Sequence, residues 1–264
     1  VFADVDVDGF RGRVHWREDG QATGPAMVLL HGLSGSMNWF DRVVPLLADT
    51  FRIVRVDLVG HGATNGPALD APVQARAVAA VLDHVTVSDA TVVGHSFGAD
   101  VAVELAERSP AIGRLVVVAQ APDYSDFKRP RTWSLLTHPV VGPIAHRAAW
   151  ALGSLLRVTL MRGNEFAALG LRDLRSMNSA MFRVVLIDRR DRLARRPLDE
   201  QLRDAGKPTL VVLGRKDHFY GDRSAPRYRA VGARVEILPD CGHSPSVEAP
   251  DRLAELLRAF AVER

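Results

Sequence analysis

The stretch Ala90-Thr91-Val92-Val93-Gly94-His95-Ser96-Phe97-Gly98-Ala99-Asp100-Val101 decides how the chain is read. It begins as a short apolar strand, passes through a serine flanked by glycines, and continues with helical spacing, Val101, Leu105 and Ala106 sharing one face. Gly94 to Gly98 fits the pattern G-x-S-x-G, and the strand before it and helix after it are the context that gives the pattern meaning. A side chain at either glycine would meet neighbouring backbone. The strained turn lifts the Ser96 hydroxyl above the sheet and aims it at a helix N-terminus, whose amides stabilise negative charge. Ser96 is therefore the candidate nucleophile. Without that context the same pentapeptide would be a turn whose serine caps a helix.

Outward from this turn, similar apolar runs recur at Met27 to Leu30, Ile53 to Val56, Leu115 to Ala119, Thr209 to Leu213 and Arg234 to Leu238. They are uniformly apolar, as in parallel strands covered on both faces. Ala71 to Val85, Asp100 to Arg108 and Asp251 to Val262 have helical apolar spacing between and after them. The alternation predicts an α/β fold with a doubly wound sheet. Val5 to Trp16, alternating around Asp8-Gly9, reads as an antiparallel hairpin at the sheet edge. The rhythm breaks between about Pro122 and Lys207. There the sequence predicts helices over Thr132 to Leu136, Ile144 to Leu156, Asn164 to Leu186 and Asp188 to Arg195, punctuated by prolines. Residues 1–264 are read as a single domain, and 122–207 as a helical cap over the strand ends.

A serine hydroxyl needs a base within hydrogen-bond reach, and the base needs an orienting acid. Of the histidines after Ser96, His243 is preferred, because Gly242 and Pro245 hold it in a tight turn between the last strand and the C-terminal helix. His138 and His146 fall in the cap. Asp217, in Gly214-Arg215-Lys216-Asp217 at the end of a strand, is the preferred acid, and Asp123 the alternative. His31-Gly32-Leu33-Ser34-Gly35 follows the first long buried strand. A turn there directs the amide of Leu33 towards the serine, and the amide of Phe97 is the second oxyanion donor. Asp57 to Gly62 reads as a supporting turn, with His61 and His95 holding backbone geometry. Ser34, Trp133, Trp150, Phe182 and His218 are candidate substrate contacts.

The remaining composition narrows the function. The net charge is +3, with only three lysines, Lys128, Lys207 and Lys216. The densest basic run, Arg189 to Arg196, is interspersed with acid and reads as a solvated helix face, so no nucleic-acid partner is expected. Cys241 is the single cysteine, which leaves no internal disulfide and no cysteine metal cluster. Neither a leader segment nor a run long enough to span a bilayer is visible, so no membrane insertion and a cytoplasmic location are expected. The chain starts at Val1 without methionine, which is compatible with removed upstream residues.

His31-Gly32, Asp57 to Gly62, Gly94 to Gly98, Gly214 to Asp217 and Gly242-His243 occur in this order over nearly the whole chain. Together they resemble the α/β-hydrolase superfamily, in the branch with a helical cap after the sixth strand. The resemblance implies an eight-stranded, mostly parallel sheet flanked by helices, with the cap inserted between the sixth and seventh strands. It also implies acyl transfer through a covalent serine intermediate, with no metal and no organic cofactor. Relatives that carry aspartate at the nucleophile position, haloalkane dehalogenases and epoxide hydrolases, are set aside by Ser96.

The reading that follows is a hydrolase of a small to medium, apolar carboxylic ester, working as a monomer or homodimer on a small-molecule substrate. The alternatives keep the triad and change the bond: a C–C hydrolase, a thioesterase, or a cofactor-free acyltransferase or lyase. A ligand-binding receptor on the same fold is a further alternative. Acidic substrates would favour a pocket arginine, for which Arg129, Arg131, Arg162 and Arg183 are candidates.

Overall fold

The structure, a computed structural model, describes residues 1–127, 133–160 and 165–263; within these, the side chains of 133–134, 157–160 and 165–167 are not described. Eight strands form one sheet in the order β1-β2-β4-β3-β5-β6-β7-β8. Their ranges are Phe2–Val7, Phe10–Gly20, Ala26–Leu30, Arg52–Val56, Ala90–His95, Ile112–Val118, Thr209–Gly214 and Arg234–Leu238 for β1 to β8. β1 and β2 pair antiparallel with each other, and β2 pairs antiparallel with β4; β3 to β8 run parallel. The expected edge hairpin is present and longer at both ends than the alternation indicated.

The apolar runs are continuous because each strand feeds two layers. In β3, Val28 and Leu30 join one buried cluster, with the helices Ala71–His84 and Phe97–Arg108. Met27 and Leu29 join the other, with the helix Pro250–Val262. A parallel sheet buried on both faces places its ligand-binding loops at the carboxyl ends of its strands. His31, Ser96, Asp217 and His243 all follow such ends, after β3, β5, β7 and β8.

Between β6 and β7 the regular elements among the described residues are all helices, the long ones at Val141–Leu160 and Glu165–Ser176. Two sequence readings need correction here. The helix expected over Asn164 to Leu186 is broken after Ser176. Asn178 donates its backbone N–H to the Gly60 carbonyl and its side-chain amide to the Gly66 carbonyl, while its Oδ1 accepts from the Ala180 N–H. An asparagine that satisfies backbone groups in this way competes with helix continuation. The chain then resumes as a short turn, a π-helical stretch at Val184–Asp188 and a helix at Arg189–Leu193. The freed Val185 carbonyl accepts from the Tyr124 hydroxyl.

The basic run is a solvated face only in part: Arg190, Arg195 and Arg196 are exposed, whereas Arg189 and Arg192 are turned into the fold. Arg189 is fully buried, donating from Nε to Asp100 Oδ1 at 2.8 Å, with Tyr124 under its guanidinium. Arg192 bridges Asp70 and Asp100. Gln120 holds the other Asp100 oxygen at 2.8 Å. Asp100 lies in the first turn after Ser96, so these arginines tie the end of the insertion to the helix behind the serine.

Candidate active site

Ser96 has φ 51° and ψ −122°, a backbone conformation that non-glycine residues rarely adopt. The surroundings enforce it. Its N–H donates to the Val118 carbonyl at 2.9 Å, and its carbonyl accepts from Ala99 at 2.8 Å. A Cβ on Gly98 would lie 2.4 Å from the Leu30 and His31 carbonyl oxygens, and one on Gly94 2.3 Å from the Gly98 carbonyl. Only glycine lets the elbow sit this close to β3.

His243 Nε2 lies 3.0 Å from Ser96 Oγ, and its Nδ1 lies 2.7 Å from Asp217 Oδ2. Asp217 Oδ1 accepts from the Phe219 N–H at 2.7 Å and the Tyr220 N–H at 3.3 Å. Burial opposes the Asp217 carboxylate, but the His243 contact and these two amides outweigh it and hold its pKa below the ordinary value. The neighbouring cations are engaged elsewhere, Lys216 with Asp240 and Arg215 with Asp222. The alternative acid, Asp123, is held by Arg227 at 2.6 Å.

The loop carrying His243 is fixed from three sides. Glu248 takes the Gly242 and Ser244 N–H groups, one on each oxygen, at 2.7 and 2.8 Å. His95 Nε2 donates to the His243 carbonyl at 2.7 Å. Burial pushes the pKa of His95 down to about 3, keeping it neutral beside His243. Below the loop, a Cβ on Gly214 would lie 2.0 Å from the Gly242 carbonyl oxygen. Gly214→Ala is expected to cost about 3 kcal/mol, read by denaturant unfolding, because the Gly242 and Cys241 carbonyls that the new methyl would meet are backbone. A stability equal to that of the parent would show that the loop is not packed on β7.

The loop after β3 is equally constrained. His31 is fully buried and neutral, its pKa lowered by burial. Its Nε2 accepts from the Leu58 N–H at 3.0 Å, which leaves Nδ1 to donate to the Gly32 carbonyl at 2.8 Å. The Gly35 N–H donates to the same oxygen. That carbonyl shares its peptide plane with the Leu33 N–H, so His31 sets the direction of the amide. A Cβ on Gly32 would lie 2.9 Å from Ser96 Cβ, which places the loop against the serine. Phe97 opens its helix, so its N–H has no partner within that helix. Its side chain is buried in the core rather than in a pocket wall.

Ser96 and His243 open onto a cavity of about 720 Å³. Its wall is largely apolar, including Leu33, Tyr124, Phe127, Leu174, Phe182 and Phe219. Of the candidate substrate contacts, Ser34, Phe182 and His218 line it. Trp150 does not; its ring is covered by the Arg175 guanidinium at 5.0 Å. The side chain of Trp133 lies outside the described residues, as do Arg129, Arg131 and Arg162. Arg183 is turned towards Asp188 at 3.9 Å and is not in the lining. His138 accepts from the Val140 and Val141 N–H groups, while His146 does reach the cavity.

Sequence reasoning missed one residue that joins the insertion to the loop after β3. Asp173 is buried, and its Oδ2 accepts from Ser36 Oγ at 2.7 Å and Trp39 Nε1 at 2.8 Å. Nothing in the local pattern around Asp173 sets it apart from a surface aspartate. Among the described residues, no group of three His, Cys, Asp or Glu side chains is arranged to hold a metal. No helix among them is long and apolar enough to cross a membrane.

A sheet of this order, with a serine on the sharp turn after its fifth strand and an apolar cavity above it, defines a class of hydrolytic enzymes. Residues 27–256 match the alpha/beta hydrolase family, and the chain belongs to it. Among curated proteins it is similar to the pimeloyl-[acyl-carrier protein] methyl ester esterase of Nitrosomonas europaea, 28% identical over 257 residues, covering 90% of this chain and 96% of that protein. Among solved structures it is similar to the enol-lactonase from Burkholderia xenovorans, with a TM-score of 0.77, 22% identity and 95% and 97% of the two chains covered. It is also similar to an esterase from Exiguobacterium antarcticum, with a TM-score of 0.79, 19% identity and 99% of each chain covered. At these identities the two structures speak to the fold alone.

Proposed function

We propose that the protein hydrolyses small to medium, apolar carboxylic esters through an acyl-enzyme on Ser96. The observation that carries this reading is the relay from Ser96 Oγ to His243 Nε2 at 3.0 Å and from His243 Nδ1 to Asp217 at 2.7 Å, opening on an apolar cavity. The esterase activity named for the Nitrosomonas europaea relative supports the same bond class. Residues 122–207 act as the cap that supplies much of the cavity wall.

Ser96 Oγ attacks the ester carbonyl while His243 Nε2 takes its proton. Asp217 holds the imidazole with Nδ1–H towards its own carboxylate and stabilises the imidazolium as it forms. The Leu33 and Phe97 amides receive the negative charge on the carbonyl oxygen, a contribution of about 3 kcal/mol for each such donor. Collapse of the tetrahedral species breaks the ester C–O bond, and His243 returns the proton to the leaving alcohol. Water then attacks the acyl-enzyme with His243 as base, releasing the acid and restoring Ser96.

Treatment with a fluorophosphonate and mapping of the modified peptide test the nucleophile. A single adduct on Ser96, absent from Ser96→Ala, is expected. Turnover of aryl esters should exceed that of acyl thioesters and dienoic diketones in the same assay. A folded protein that stays unlabelled would overturn the reading. Labelling with faster diketone cleavage would move the substrate class to C–C bonds.

A further inference from the structure

We infer that the outer face of the helix Val141–Leu160 adsorbs to an anionic lipid surface. Among the described residues, seven of the ten large apolar side chains left exposed lie between Leu135 and Leu156; the other three, Val1, Phe2 and Val262, are near the chain ends. On this helix Val141, Ile144 and Leu152 are 40%, 65% and 58% exposed and follow one another at helical spacing along a single stripe. Val140, 70% exposed, extends the patch beyond the helix start. The opposite face is occupied: His146 and Ala149 line the cavity, and Gly153 packs on Leu171. A soluble fold rarely concentrates its exposed apolar residues in this way without something to cover them.

Charge selects the occupant. From Phe127 to Asn164 the sequence carries Lys128, Arg129, Arg131, Arg147, Arg157 and Arg162 and no aspartate or glutamate. The whole chain has a net charge of only +3, so its cationic character is concentrated here. A second copy of the chain would bring two such segments together, and like charges oppose that contact. An anionic bilayer complements a segment of this composition, and its headgroup layer accepts an exposed apolar stripe. The helix lies along that layer with its inner face still on the cavity. An apolar ester dissolved in the lipid would then be separated from the cavity by the thickness of one helix. Ser96 takes no part in this binding, so its test is independent of the proposed reaction.

The test is flotation of the full chain with vesicles made of equal parts phosphatidylglycerol and phosphatidylcholine, and with phosphatidylcholine alone. Binding to the anionic vesicles, released by added salt and absent from the neutral ones, is the expected result. Ile144→Ser combined with Leu152→Ser should weaken it about tenfold. Arg147→Gln should weaken it about fivefold. Both apolar sites are exposed, so an unchanged thermal midpoint checks that the variant is folded. Failure to float with anionic vesicles, or equal recovery on both kinds, overturns the inference. So does a concentration-dependent dimer, seen by sedimentation, that the Ile144→Ser, Leu152→Ser pair abolishes, because the occupant would then be a second copy.

Discussion

Asp217→Asn is expected to lower kcat for ester hydrolysis by about 10⁴-fold, with little change in Tm. The size of the effect follows from which way the new amide must face. Asp217 Oδ1 accepts from two backbone N–H groups, those of Phe219 and Tyr220. An asparagine NH₂ placed there would set donors against donors, so the carbonyl oxygen must take that side. The NH₂ is left facing His243 Nδ1, 2.7 Å away in the parent protein. The imidazole can satisfy that donor only by presenting a bare Nδ1, which moves its own proton to Nε2. Nε2 then points an N–H at Ser96 Oγ and has no lone pair to accept the serine proton. Steady-state kinetics on an aryl ester, with a pH profile, read this directly. An unchanged kcat would remove Asp217 from the acid role. Asp123 is a poor substitute, since Arg227 already holds it.

Acidification is the second large effect: the fold should begin to lose stability below about pH 6.5 and unfold near pH 4. His61 and His95 are buried, and burial pushes both pKa values down to about 3. Between the unfolded value near 6.5 and these folded values, the unfolded chain binds more protons than the native one. Stability therefore falls as pH falls, by up to about 1.4 kcal/mol per pH unit for each histidine. His31, shifted the same way, adds to the slope. A total stability of about 5–15 kcal/mol is spent within a few pH units at that rate. Asp57 and Asp217 have lowered pKa values and contribute in the same direction, but only once unfolded carboxylates begin to protonate near pH 4. The histidine part is thus separable by its window. Thermal unfolding between pH 7 and pH 4 measures it, and His61→Met should make the slope shallower. A Tm that stays flat down to about pH 4.5 would show that these rings are not the acid-sensitive groups.

Much of this arrangement was legible along the chain because it is carried by local patterns at strand ends. The glycines around Ser96, the strand before Asp217 and the Gly242 turn each announce a constrained position within a few residues. The sheet was legible for a similar reason, since strands buried on both faces read as unbroken apolar runs. The insertion was not. Asp173 and Ser36 are 137 residues apart, and Arg189 and Asp100 are 89 apart. No periodicity announces a contact at such a separation, so a buried ion pair and a surface charge look alike in sequence. Arg189 illustrates the error best: neighbouring charges suggested a wet face, whereas the fold places that one side chain against Asp100 and Tyr124. Glu248 had a weak local signal, one turn beyond Ser244 with Pro245 opening a helix.

The carboxylate of Asp173 also limits modularity. Helices inserted between two strands are natural units to exchange when a new specificity is sought. Here an exchange that omits an acceptor at position 173 leaves Ser36 Oγ and Trp39 Nε1 without the partner they share. Each loss costs about 1–3 kcal/mol if the group stays buried. Both residues lie just beyond Gly35, so the penalty falls beside the peptide that His31 orients. The insertion and the loop after β3 therefore form a single inheritance unit. A transplanted insertion will work only when it carries its own Asp173 or brings a matching loop with it.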